Sequence, residues 1–564
     1  MRVRWIAGLV AGALLAGCTP PARSHGPTPA PALSSAAGSA PDPTARVAAI
    51  LARLGEEDLV GQVLMPYAYG SDANTVTPAS AQANRKYAGV SSPAELVAKY
   101  RVGGVILVSF SADDPTAGTN KTTNVDSAGQ VRTLTGGLQA AAGQLPAAGV
   151  PLLIGTDQEY GQVTRIHDIT QLPSAFALGA AHDPALTEAA WRAAGGDLAA
   201  LGVNVDFAPD ADVLGDTGGG VIGSRSYGSD PAAVSEQVAA AVRGLRSAGV
   251  AATLKHFPGH GHTTADSHTE LPVLTQSRGE LTSGDLPPFM AGAAAGADLV
   301  MSGHLDVRAI DPGVPATFSP KVLVDLLRGQ LGFQGVVVTD ALTMAPAEKF
   351  PPGEAAVRAL LAGNDLLLMP PDPAAARKGL LDALHSGRLP KTRLAEAVTR
   401  ILTLKARLAA TPQPDASTVA TADGRAAAAR ATAGAVTMLR GPCGGPVVHG
   451  PVTVTSSGGR DQQRAWLADA LRREGVAITS GGGTVVHLVG YGDDANDLSA
   501  GAAVTVAMDL PFVLALSRSP ALMATYSSTQ AAMDALAAVL AGKAHAPGRS
   551  PVVVNGMPRS ACVS

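Results

Sequence analysis

The chain has little cysteine and no excess of charge. Its 564 residues include three cysteines, and 42 Lys and Arg residues against 46 Asp and Glu residues leave a formal net charge of -4. Proteins that bind nucleic acid concentrate basic residues in a patch or stripe, so this balance argues against a nucleic-acid partner. Hydrophobic residues make up 46% of the chain, enough for full cores, and the length exceeds that of one typical domain.

Short apolar runs that end in a polar side chain recur along the first 400 residues. Apolar runs without alternation are typical of strands that are covered on both faces, hence of a parallel sheet with helices outside. Segments of helical spacing, such as 232–244 and 322–327, lie between the runs. About seven or eight such repeats predict a TIM-type (β/α)8 barrel rather than an open doubly wound sheet. The runs are 105–108, 151–156, 203–205, 251–254, 299–303, 336–339 and 366–369.

The polar residues at the ends of these runs are predicted to meet in space. Active sites of TIM barrels lie at the carboxyl ends of the strands, although any one such residue, Asp206 for example, could instead cap the following helix. Six such residues at the ends of successive runs favour a shared site over six separate helix caps. The residues predicted at this mouth are Asp157, Asp206, Lys255, His256, His304 and Asp340.

The segment 255–268 holds four of the 12 histidines of the chain. Two interpretations follow from the residues alone, because imidazole both binds metals and titrates near neutral pH. One is a metal site, whose candidate ligands are His256, His260, His262 and His268. The other is a polar-substrate site in which Lys255 and His256 bind the ligand, while Asp266 and His268 transfer protons. The histidines show no repeated spacing of the kind found at zinc sites, which disfavours the metal site.

Several segments together resemble glycoside hydrolase family 3, and in particular its β-N-acetylglucosaminidase (β-hexosaminidase) branch. The most specific is Lys-His-Phe-Pro-Gly-His-Gly at 255–261, followed by Asp-Ser-His at 266–268, and the resemblance extends from about Leu51 to the C-terminus. It implies an exo-acting, retaining enzyme that removes terminal β-linked N-acetylglucosamine from peptidoglycan-type or related glycans, without a cofactor or a metal. The other matching segments are 57–62, 157–165, 204–209, 223–228 and 338–340.

The resemblance also implies roles for single residues. Asp340 would be the nucleophile that forms a covalent glycosyl-enzyme, His268 the general acid and then general base, and Asp266 the residue that orients His268. A retaining glycosidase needs a carboxylate at the anomeric carbon and a proton donor at the leaving oxygen, and imidazole can be that donor near neutral pH. Glu159 is a rival candidate for the acid. The residues implied to bind the sugar are Asp157, Arg165, Arg225, Lys255 and His256.

Two positions depart from the family pattern. Tyr160 stands where glycine is usual and Gln162 where arginine is usual, and we expect the ring of Tyr160 to narrow the outer part of the pocket. From the residues alone, Arg225 reads as a residue of a surface turn, and His260 and His262 read as residues that shape a loop.

Other functions stay open at this point. A family 3 β-glucosidase is the nearest alternative enzyme. A β-N-acetylglucosaminide phosphorylase is another, because a histidine acid would not repel phosphate as a carboxylate would. The alternative outside the enzymes is a metal-binding or cell-wall-binding lipoprotein.

The N-terminus resembles a bacterial lipoprotein signal. Arg2 and Arg4 precede an apolar run from Trp5 to Leu15 that is too short to span a bilayer, and Ala16-Gly17-Cys18 follows. A plain secretory signal with a chance cysteine is the alternative. We expect residues 1–17 to be a signal peptide, Cys18 to carry a lipid, and residues 18–43 to be a flexible tether. The protein would then be exported and anchored to the outer face of a bacterial cell membrane, within the cell envelope.

The last third of the chain predicts a second, smaller domain. We expect the barrel at 44–410, a linker at 411–425 and an α/β sandwich at 426–564. Helical patterns occur at 462–473 and 530–540, and apolar runs at 452–455, 484–489, 503–508, 512–516 and 551–554. Cys443 and Cys562 flank this region, and a disulfide between them or two separate thiols are both compatible with the spacing.

Overall fold

The computed structural model describes residues 43–109, 124–215 and 220–562. The described residues form one compact unit. The predicted signal peptide, the lipidation residue Cys18 and nearly all of the predicted tether lie outside the described residues; Pro43 already begins the first helix.

Two sets of strands build the molecule. The first set is β1 (Leu64–Met65), β2 (Gly104–Ile106), β3 (Leu153–Thr156), β4 (Val205–Asp206), β5 (Ala251–Phe257), β6 (Val273–Leu274), β7 (Leu299–Ser302), β8 (Asp306–Val307), β9 (Val336–Thr339) and β10 (Leu367–Leu368). The second set is β11 (Thr437–Arg440), β12 (Val452–Ser456), β13 (Thr484–Val489), β14 (Val504–Ala507) and β15 (Ala521–Ala524).

Eight strands of the first set close into a parallel barrel. Strands β2, β3, β4, β5, β7 and β9 pair in that order, and β1 pairs with β10. A parallel bridge between Val338 and Leu366 joins β9 to β10. On the other side, Gly103 N–H donates to the Leu64 carbonyl at 3.1 Å and links β1 to β2. The predicted (β/α)8 barrel is therefore confirmed, with β6 and β8 forming a separate two-stranded sheet.

The strands are short and fully covered, as their continuous apolar runs predict. All four residues of β3, β7 and β9 are buried. Three helices that cover the barrel begin with the same Asp-Pro pair, in which the Asp side chain accepts hydrogen bonds from backbone N–H groups of the first turn. These aspartates are Asp183, Asp230 and Asp372.

The helices of the barrel region are α1 (Pro43–Leu51), α2 (Glu56–Gln62), α3 (Pro78–Ala88), α4 (Pro93–Tyr100), α5 (Ala128–Ala142), α6 (Ala175–Ala181), α7 (Pro184–Ala200), α8 (Pro231–Ser247), α9 (Arg278–Glu280), α10 (Leu286–Ala294), α11 (Ala345–Glu348), α12 (Pro352–Ala362), α13 (Pro373–His385) and α14 (Lys391–Ala409). The segments Leu281–Asp285 and Lys321–Gln330 are π-helical, so the helix predicted at 322–327 has a wider turn than expected.

The second set of strands forms one sheet in the order β11, β15, β14, β13, β12. Strands β12 to β15 are parallel, and β11 runs antiparallel to β15. Helices α16 (Asp461–Arg473) and α17 (Gln530–Leu540) pack on this sheet, and α15 (Ala422–Ala435) packs against α6 and α7 of the barrel. A disulfide joins Cys443 and Cys562. The division into two domains with a linker at 411–425 stays a prediction.

Two of the apolar runs in this region do not form strands. Residues Pro511–Leu516 form a 3-10 helix, and residues 551–554 lie outside any strand. The apolar side chains of both segments instead contact the same core as residues of the barrel region, including Phe176 and Ile222. These two apolar runs therefore mark side chains that are buried together with residues of the barrel region, and they do not mark strands.

Candidate active site

An open pocket lies at the carboxyl ends of the barrel strands. It is lined by residues of β2, β5, β7 and β10 and of the segments that follow β3, β4, β5 and β9. Seven of the eight predicted catalytic and sugar-binding residues line it: Asp157, Arg165, Arg225, Lys255, His256, His268 and Asp340. The eighth, Asp266, lies directly behind His268.

Glu159 is the centre of a buried ion-pair network in the pocket wall. Its carboxylate accepts from Arg225 Nε at 2.7 Å and Arg225 Nη2 at 2.9 Å, and it pairs with Lys255 Nζ. Burial raises the pKa of Glu159, but Arg225 and Lys255 outweigh burial and bring the pKa to about 2. Glu159 is therefore ionised at neutral pH and holds no proton to donate, which argues against it as the general acid.

The same network explains why Arg225 is not a surface residue. It ends a 3-10 turn at Gly223–Arg225 and is 5% exposed, and its guanidinium lies between Glu159 and His256. Lys255 is also buried and donates to Asp157 Oδ1 at 3.2 Å. Two cations that would be costly to bury alone are thus held at the pocket by carboxylates. The expectation of a surface turn at Arg225 is wrong.

His256 belongs to a fully buried His–Asp pair that the sequence did not indicate. Its Nδ1 lies 2.8 Å from Asp212 Oδ2, and its backbone N–H donates to Asp212 Oδ1 at 3.1 Å. Burial, followed by the charge of Arg225, holds the pKa of His256 well below its usual range. The ring is therefore neutral, with its proton on Nδ1 and with Nε2 directed toward Arg225 Nη2 at 3.3 Å.

Asp212 also fixes the next part of the loop, because His260 N–H donates to Asp212 Oδ1 at 2.6 Å. Burial raises the pKa of Asp212 to about 6, and it raises the pKa of the neighbouring Asp210 further. Both residues directly follow the 204–209 segment that carried part of the family resemblance. The sequence signal that could have identified Asp210 and Asp212 is a pair of acidic residues two positions apart, shortly after the end of a strand.

Asp340 follows β9 and is held by the backbone. Its N–H donates to the Ser302 carbonyl at 3.0 Å, and its Oδ1 accepts from Ala341 N–H at 2.7 Å. Burial raises its pKa, but three histidines and the Ala341 N–H outweigh burial, so that the pKa of Asp340 lies below its usual value. A carboxylate that is ionised and fixed in a pocket is suited to nucleophilic attack.

Two residues predicted at the mouth lie behind the pocket wall. His304 is buried, and its Nε2 lies 3.0 Å from the Ala341 carbonyl, next to Asp340. Asp206 is buried within β4, where its Oδ1 accepts from the Gln158 N–H at 3.0 Å. Neither is among the residues that line the pocket, so both support the loops that carry the site rather than contacting a ligand.

A second His–Asp pair, His268 and Asp266, is more exposed than the first. His268 Nδ1 lies 2.7 Å from Asp266 Oδ1, and His268 N–H donates to the same oxygen at 2.9 Å. The hydrogen bond from the His268 side chain holds the pKa of Asp266 below its usual value. The carboxylate fixes the Nδ1 side of the ring, which leaves Nε2 for a ligand in the pocket that His268 lines.

The four histidines of segment 255–268 do not converge as metal ligands. His260 Nε2 lies 3.0 Å from Ser267 Oγ, and His262 Nδ1 lies 2.8 Å from Asp285 Oδ1. Within the described ranges, the group whose geometry could hold a metal is Asp210, Asp212 and His256. Arg225 Nη2 already lies 3.8 Å from Asp210 Oδ2, which places a positive charge beside this group.

The two departures from the family pattern do not point into the pocket. Tyr160 is 1% exposed and packs edge-on against Trp191, with ring centroids 5.7 Å apart. The expectation that Tyr160 narrows the pocket is therefore wrong, because its ring is buried against Trp191 of α7. Gln162 Nε2 donates to Asp509 Oδ1 at 3.2 Å and so joins the barrel to the second sheet.

The fold and the pocket define a (β/α)8-barrel enzyme in which an ionised carboxylate and a His–Asp pair share one polar cavity. Residues 60–404 match the N-terminal domain of glycosyl hydrolase family 3. The chain belongs to this family, and the resemblance stated from the sequence motifs is confirmed.

Two similar proteins agree with the assignment to this family. A β-hexosaminidase A of Pseudoalteromonas piscicida is 36% identical over 57% of this chain and 56% of its own length. A β-hexosaminidase of Stenotrophomonas maltophilia is 42% identical over 44% of this chain and 73% of its own length. The chain thus aligns with little more than half of the first relative.

A solved structure extends the similarity to both sheets. The family 3 β-N-acetylglucosaminidase from Paenibacillus sp. FPU-7 is 32% identical to this chain, and the TM-score is 0.75. The match covers 89% of this chain and 99% of that one. A β-glucoside phosphorylase is similar at 21% identity with a TM-score of 0.76, which shows a common fold.

Proposed function

We propose that the protein is an exo-acting, retaining β-N-acetylglucosaminidase that hydrolyses terminal β-linked N-acetylglucosamine from peptidoglycan-type or related glycans. The observation that carries the proposal is that Asp340 and the His268–Asp266 pair line or flank one pocket. The named relatives, which are β-hexosaminidases and a β-N-acetylglucosaminidase, support the choice of sugar.

The first chemical step needs a nucleophile and an acid. A carboxylate oxygen of Asp340 attacks the anomeric carbon, and the bond from that carbon to the leaving oxygen breaks with its electron pair on the oxygen. His268, protonated on both nitrogens, delivers the Nε2 proton to that oxygen. Asp266 stabilises the imidazolium before transfer and keeps the remaining proton on Nδ1 afterwards.

The second step reverses these roles. Water attacks the anomeric carbon of the glycosyl-enzyme, His268 Nε2 takes a proton from the water, and Asp340 leaves with the electron pair of the ester bond. The two inversions give net retention. Glu159 takes no part in proton transfer because it is held as an anion by its two cations.

The remaining pocket residues suit a hydroxyl-rich ring. Asp157 can accept from paired sugar hydroxyls, while Arg165, Arg225 and Lys255 supply donors, and the neutral His256 adds a polar contact on the same wall. Met301 and Leu368 line the same cavity and can pack against the C–H faces of the sugar and an acetamido methyl group.

The test compares p-nitrophenyl N-acetyl-β-glucosaminide with the matching β-glucoside, using residues 46–564. Selective cleavage of the first supports the proposal, and preference for the glucoside contradicts it in favour of a β-glucosidase. Reaction with a chitooligosaccharide in the presence of phosphate separates the phosphorylase: formation of a sugar 1-phosphate in place of free N-acetylglucosamine would overturn hydrolysis. Absence of turnover on every substrate would favour a binding lipoprotein.

We also propose that the protein is exported and held at a bacterial membrane through a lipid on Cys18. The support is the sequence around that residue, with basic residues, an apolar run and Ala16-Gly17 before the cysteine. In the part of the chain that the structure describes, no helix combines the length and apolarity needed to cross a bilayer. Cys18→Ser is expected to move the protein from the membrane fraction to the soluble fraction, and continued membrane association of this variant would contradict the proposal.

A further inference from the structure

The end of the chain runs from the second sheet onto the barrel without forming a helix or a strand. Residues 548–562, which we call the C-terminal strap, begin beside β11, where Gly548 N–H donates to the Val436 carbonyl at 2.9 Å. The next residue, Arg549, donates its N–H to the Ala180 carbonyl of α6 at 2.9 Å. Two consecutive backbone hydrogen bonds therefore connect the second sheet to the barrel.

The C-terminal strap contacts the backbone segment that carries Arg225. The Pro551 carbonyl accepts from Ser229 N–H at 3.1 Å and from Ser229 Oγ at 3.3 Å. The backbone of Gly228 lies directly against Pro551, because a Cβ added at this glycine would be 2.8 Å from Pro551 Cβ and from its carbonyl oxygen. Arg225, which lines the catalytic pocket, is four positions before Ser229. The position of the strap therefore bears on a pocket residue.

The same segment supports the buried His–Asp pair. Ser226 Oγ donates to the Asp212 carbonyl at 2.6 Å, and the Gly228 carbonyl accepts from Leu214 N–H at 2.9 Å. The carboxylate of Asp212 in turn binds the His256 ring at 2.8 Å. A shift of this segment would thus move two neighbours of the pocket, the arginine and the support of His256.

The disulfide closes the other end of the C-terminal strap. The strap doubles back on itself, since the Arg559 carbonyl accepts from Ser550 N–H at 2.6 Å and Arg559 Nη1 donates to the Ser550 carbonyl at 3.0 Å. Cys562, three positions after Arg559, is bonded to Cys443. Pro551 directly follows Ser550. The disulfide and the contact with the barrel are therefore joined through one pair of residues.

Few other contacts hold the C-terminal strap in place. Within residues 551–562, the buried side chains are those of Val552 and Val554. Pro551 and Arg559 border a cavity, so the strap is not packed against other residues on that side. The disulfide joins cysteines 119 positions apart, and such a cross-link restricts the freedom of the chain. Opening it should release the exposed end of the strap.

We propose that the C-terminal strap positions residues 225–229 and that the Cys443–Cys562 disulfide locks it, which makes sugar binding sensitive to reduction. This inference rests on the proposed function, because it treats Arg225 and His256 as sugar ligands. The strap supplies no group to glycoside cleavage. Its release should therefore weaken binding more than turnover.

The reductant in the test is a dithiol. One of its thiolates attacks a sulfur of the disulfide, the S–S bond breaks, and a mixed disulfide forms as one protein thiolate leaves. The second thiol of the reductant then displaces the other protein sulfur. The products are two protein thiols and the oxidised, cyclic dithiol, so two electrons pass from the reductant to the protein.

The first measurement is hydrogen exchange of the folded protein before and after reduction with dithiothreitol, followed by peptide mass spectrometry. The Ser229 amide donates to Pro551, so peptides that cover residues 225–229 should exchange about 10-fold faster after reduction. Peptides that contain β9 and Asp340 should not change. Faster exchange in the strap with unchanged exchange at 225–229 would overturn the inference, whatever the substrate of the enzyme.

The second measurement is steady-state kinetics on p-nitrophenyl N-acetyl-β-glucosaminide. Reduction should raise KM by about 3- to 10-fold and change kcat by less than about 2-fold, because interactions common to the bound and transition states are lost. Reoxidation should restore KM. The double variant Cys443→Ser/Cys562→Ser should have the KM of the reduced protein and no response to dithiothreitol. If this variant does not fold, the reduced wild type still provides the test.

The control for general destabilisation is Asp365→Asn. Asp365 is fully buried beside Arg328 at the opposite end of the barrel, away from the strap. This variant should be less stable but should keep KM within about 2-fold of the wild type. A rise in its KM equal to that of the reduced protein, or an unchanged KM after reduction, would overturn the inference. Failure of the wild type to cleave any N-acetylglucosaminide would overturn the proposed function, while hydrogen exchange would still decide whether the strap positions residues 225–229.

Discussion

The two ends of the barrel each hold a buried carboxylate surrounded by basic side chains. At the mouth, Glu159 is bound by Arg225 and Lys255. At the opposite end, Asp365 precedes β10 and is fully buried; its carboxylate accepts from Val337 N–H at 3.0 Å. Its guanidinium partners are Arg328 at 2.5 Å, Arg393 at 3.0 Å and Arg400 at 3.2 Å.

The difference between these clusters lies in what else the cations contact. Arg225 and Lys255 line the catalytic pocket and keep donors available for a ligand, whereas none of the three arginines around Asp365 is among the residues of that pocket. Under the proposed function, similar ion pairs therefore serve binding at the carboxyl ends of the strands and stability at the amino ends. Substitutions at the mouth should change activity, and substitutions at the base should change the free energy of unfolding.

The largest expected effect is at the nucleophile. Asp340→Asn removes the attacking charge and should lower kcat on p-nitrophenyl N-acetyl-β-glucosaminide by about 10⁴-fold or more, because the proposed mechanism then lacks its nucleophile. The thermal midpoint should shift by only a few degrees, since the side chain keeps its shape. Substantial residual turnover, measured on protein free of wild-type carry-over, would contradict the assignment.

The two His–Asp pairs give the next prediction. His268→Ala should lower kcat/KM on chitobiose by about 10²- to 10⁴-fold, and much less on the p-nitrophenyl glycoside, whose leaving group needs little protonation. His256→Ala is the matched control, because His256 is neutral and binds rather than transfers a proton. It should lower both rates by similar factors. A loss that is larger on chitobiose in His256→Ala, together with similar losses on both substrates in His268→Ala, would assign the role of general acid to His256.

At the base of the barrel, Asp365→Asn should lower the free energy of unfolding by about 3–5 kcal/mol, because it leaves buried guanidinium groups without their carboxylate. Denaturant unfolding measures the loss. The matched control is Asp382→Asn, since Asp382 pairs with Lys378 on the exposed face of α13; its effect should stay below about 0.5 kcal/mol. Similar effects of the two variants would show that the buried cluster does not stabilise the fold.

The smallest predicted effect concerns Lys405 of α14, at the same end as Asp365. Lys405 is 2% exposed and donates to Gln62 Oε1 at 2.8 Å, and burial lowers its pKa to about 7. Between pH 7 and 9 the unfolded chain binds this proton and the folded chain does not. Stability of the wild type should therefore rise with pH relative to Lys405→Met, by about 1–3 kcal/mol in total. Parallel pH profiles of the two proteins would contradict the lowered pKa.

The barrel was largely predictable because most of its strands lie in continuous apolar runs that are followed by a polar residue, although β1 was not among the predicted runs. The runs at 151–156 and 336–339 contain β3 and β9 and place Asp157 and Asp340 correctly. The same rule failed at 512–516 and 551–554, where apolar side chains face the core beside the barrel from a 3-10 helix and from a loop. Hydrophobicity reports burial, and a short apolar run by itself does not distinguish a strand from other buried backbone.

Seven of the residues that line the pocket were predicted by motif, but their connections were not. Nothing in the local sequence shows that Asp212 holds both His256 and His260, because the partners are more than 40 positions apart and no apolar run ends at Asp212. The contact between Gln162 and Asp509 spans 347 positions. The packing of Tyr160 against Trp191 is likewise not visible in the local sequence. Such contacts follow from the closure of the barrel and from the position of the second sheet.

The most direct test of the central claim is to trap the covalent intermediate. A 5-fluoro derivative of N-acetylglucosaminyl fluoride should react quickly, because fluoride leaves readily, and hydrolyse slowly, because the ring fluorine destabilises the positive charge of the transition state. Peptide mass spectrometry should then find one sugar residue on the peptide that contains Asp340. A label on Glu159, or rapid turnover with no labelled peptide, would contradict a retaining mechanism that uses Asp340.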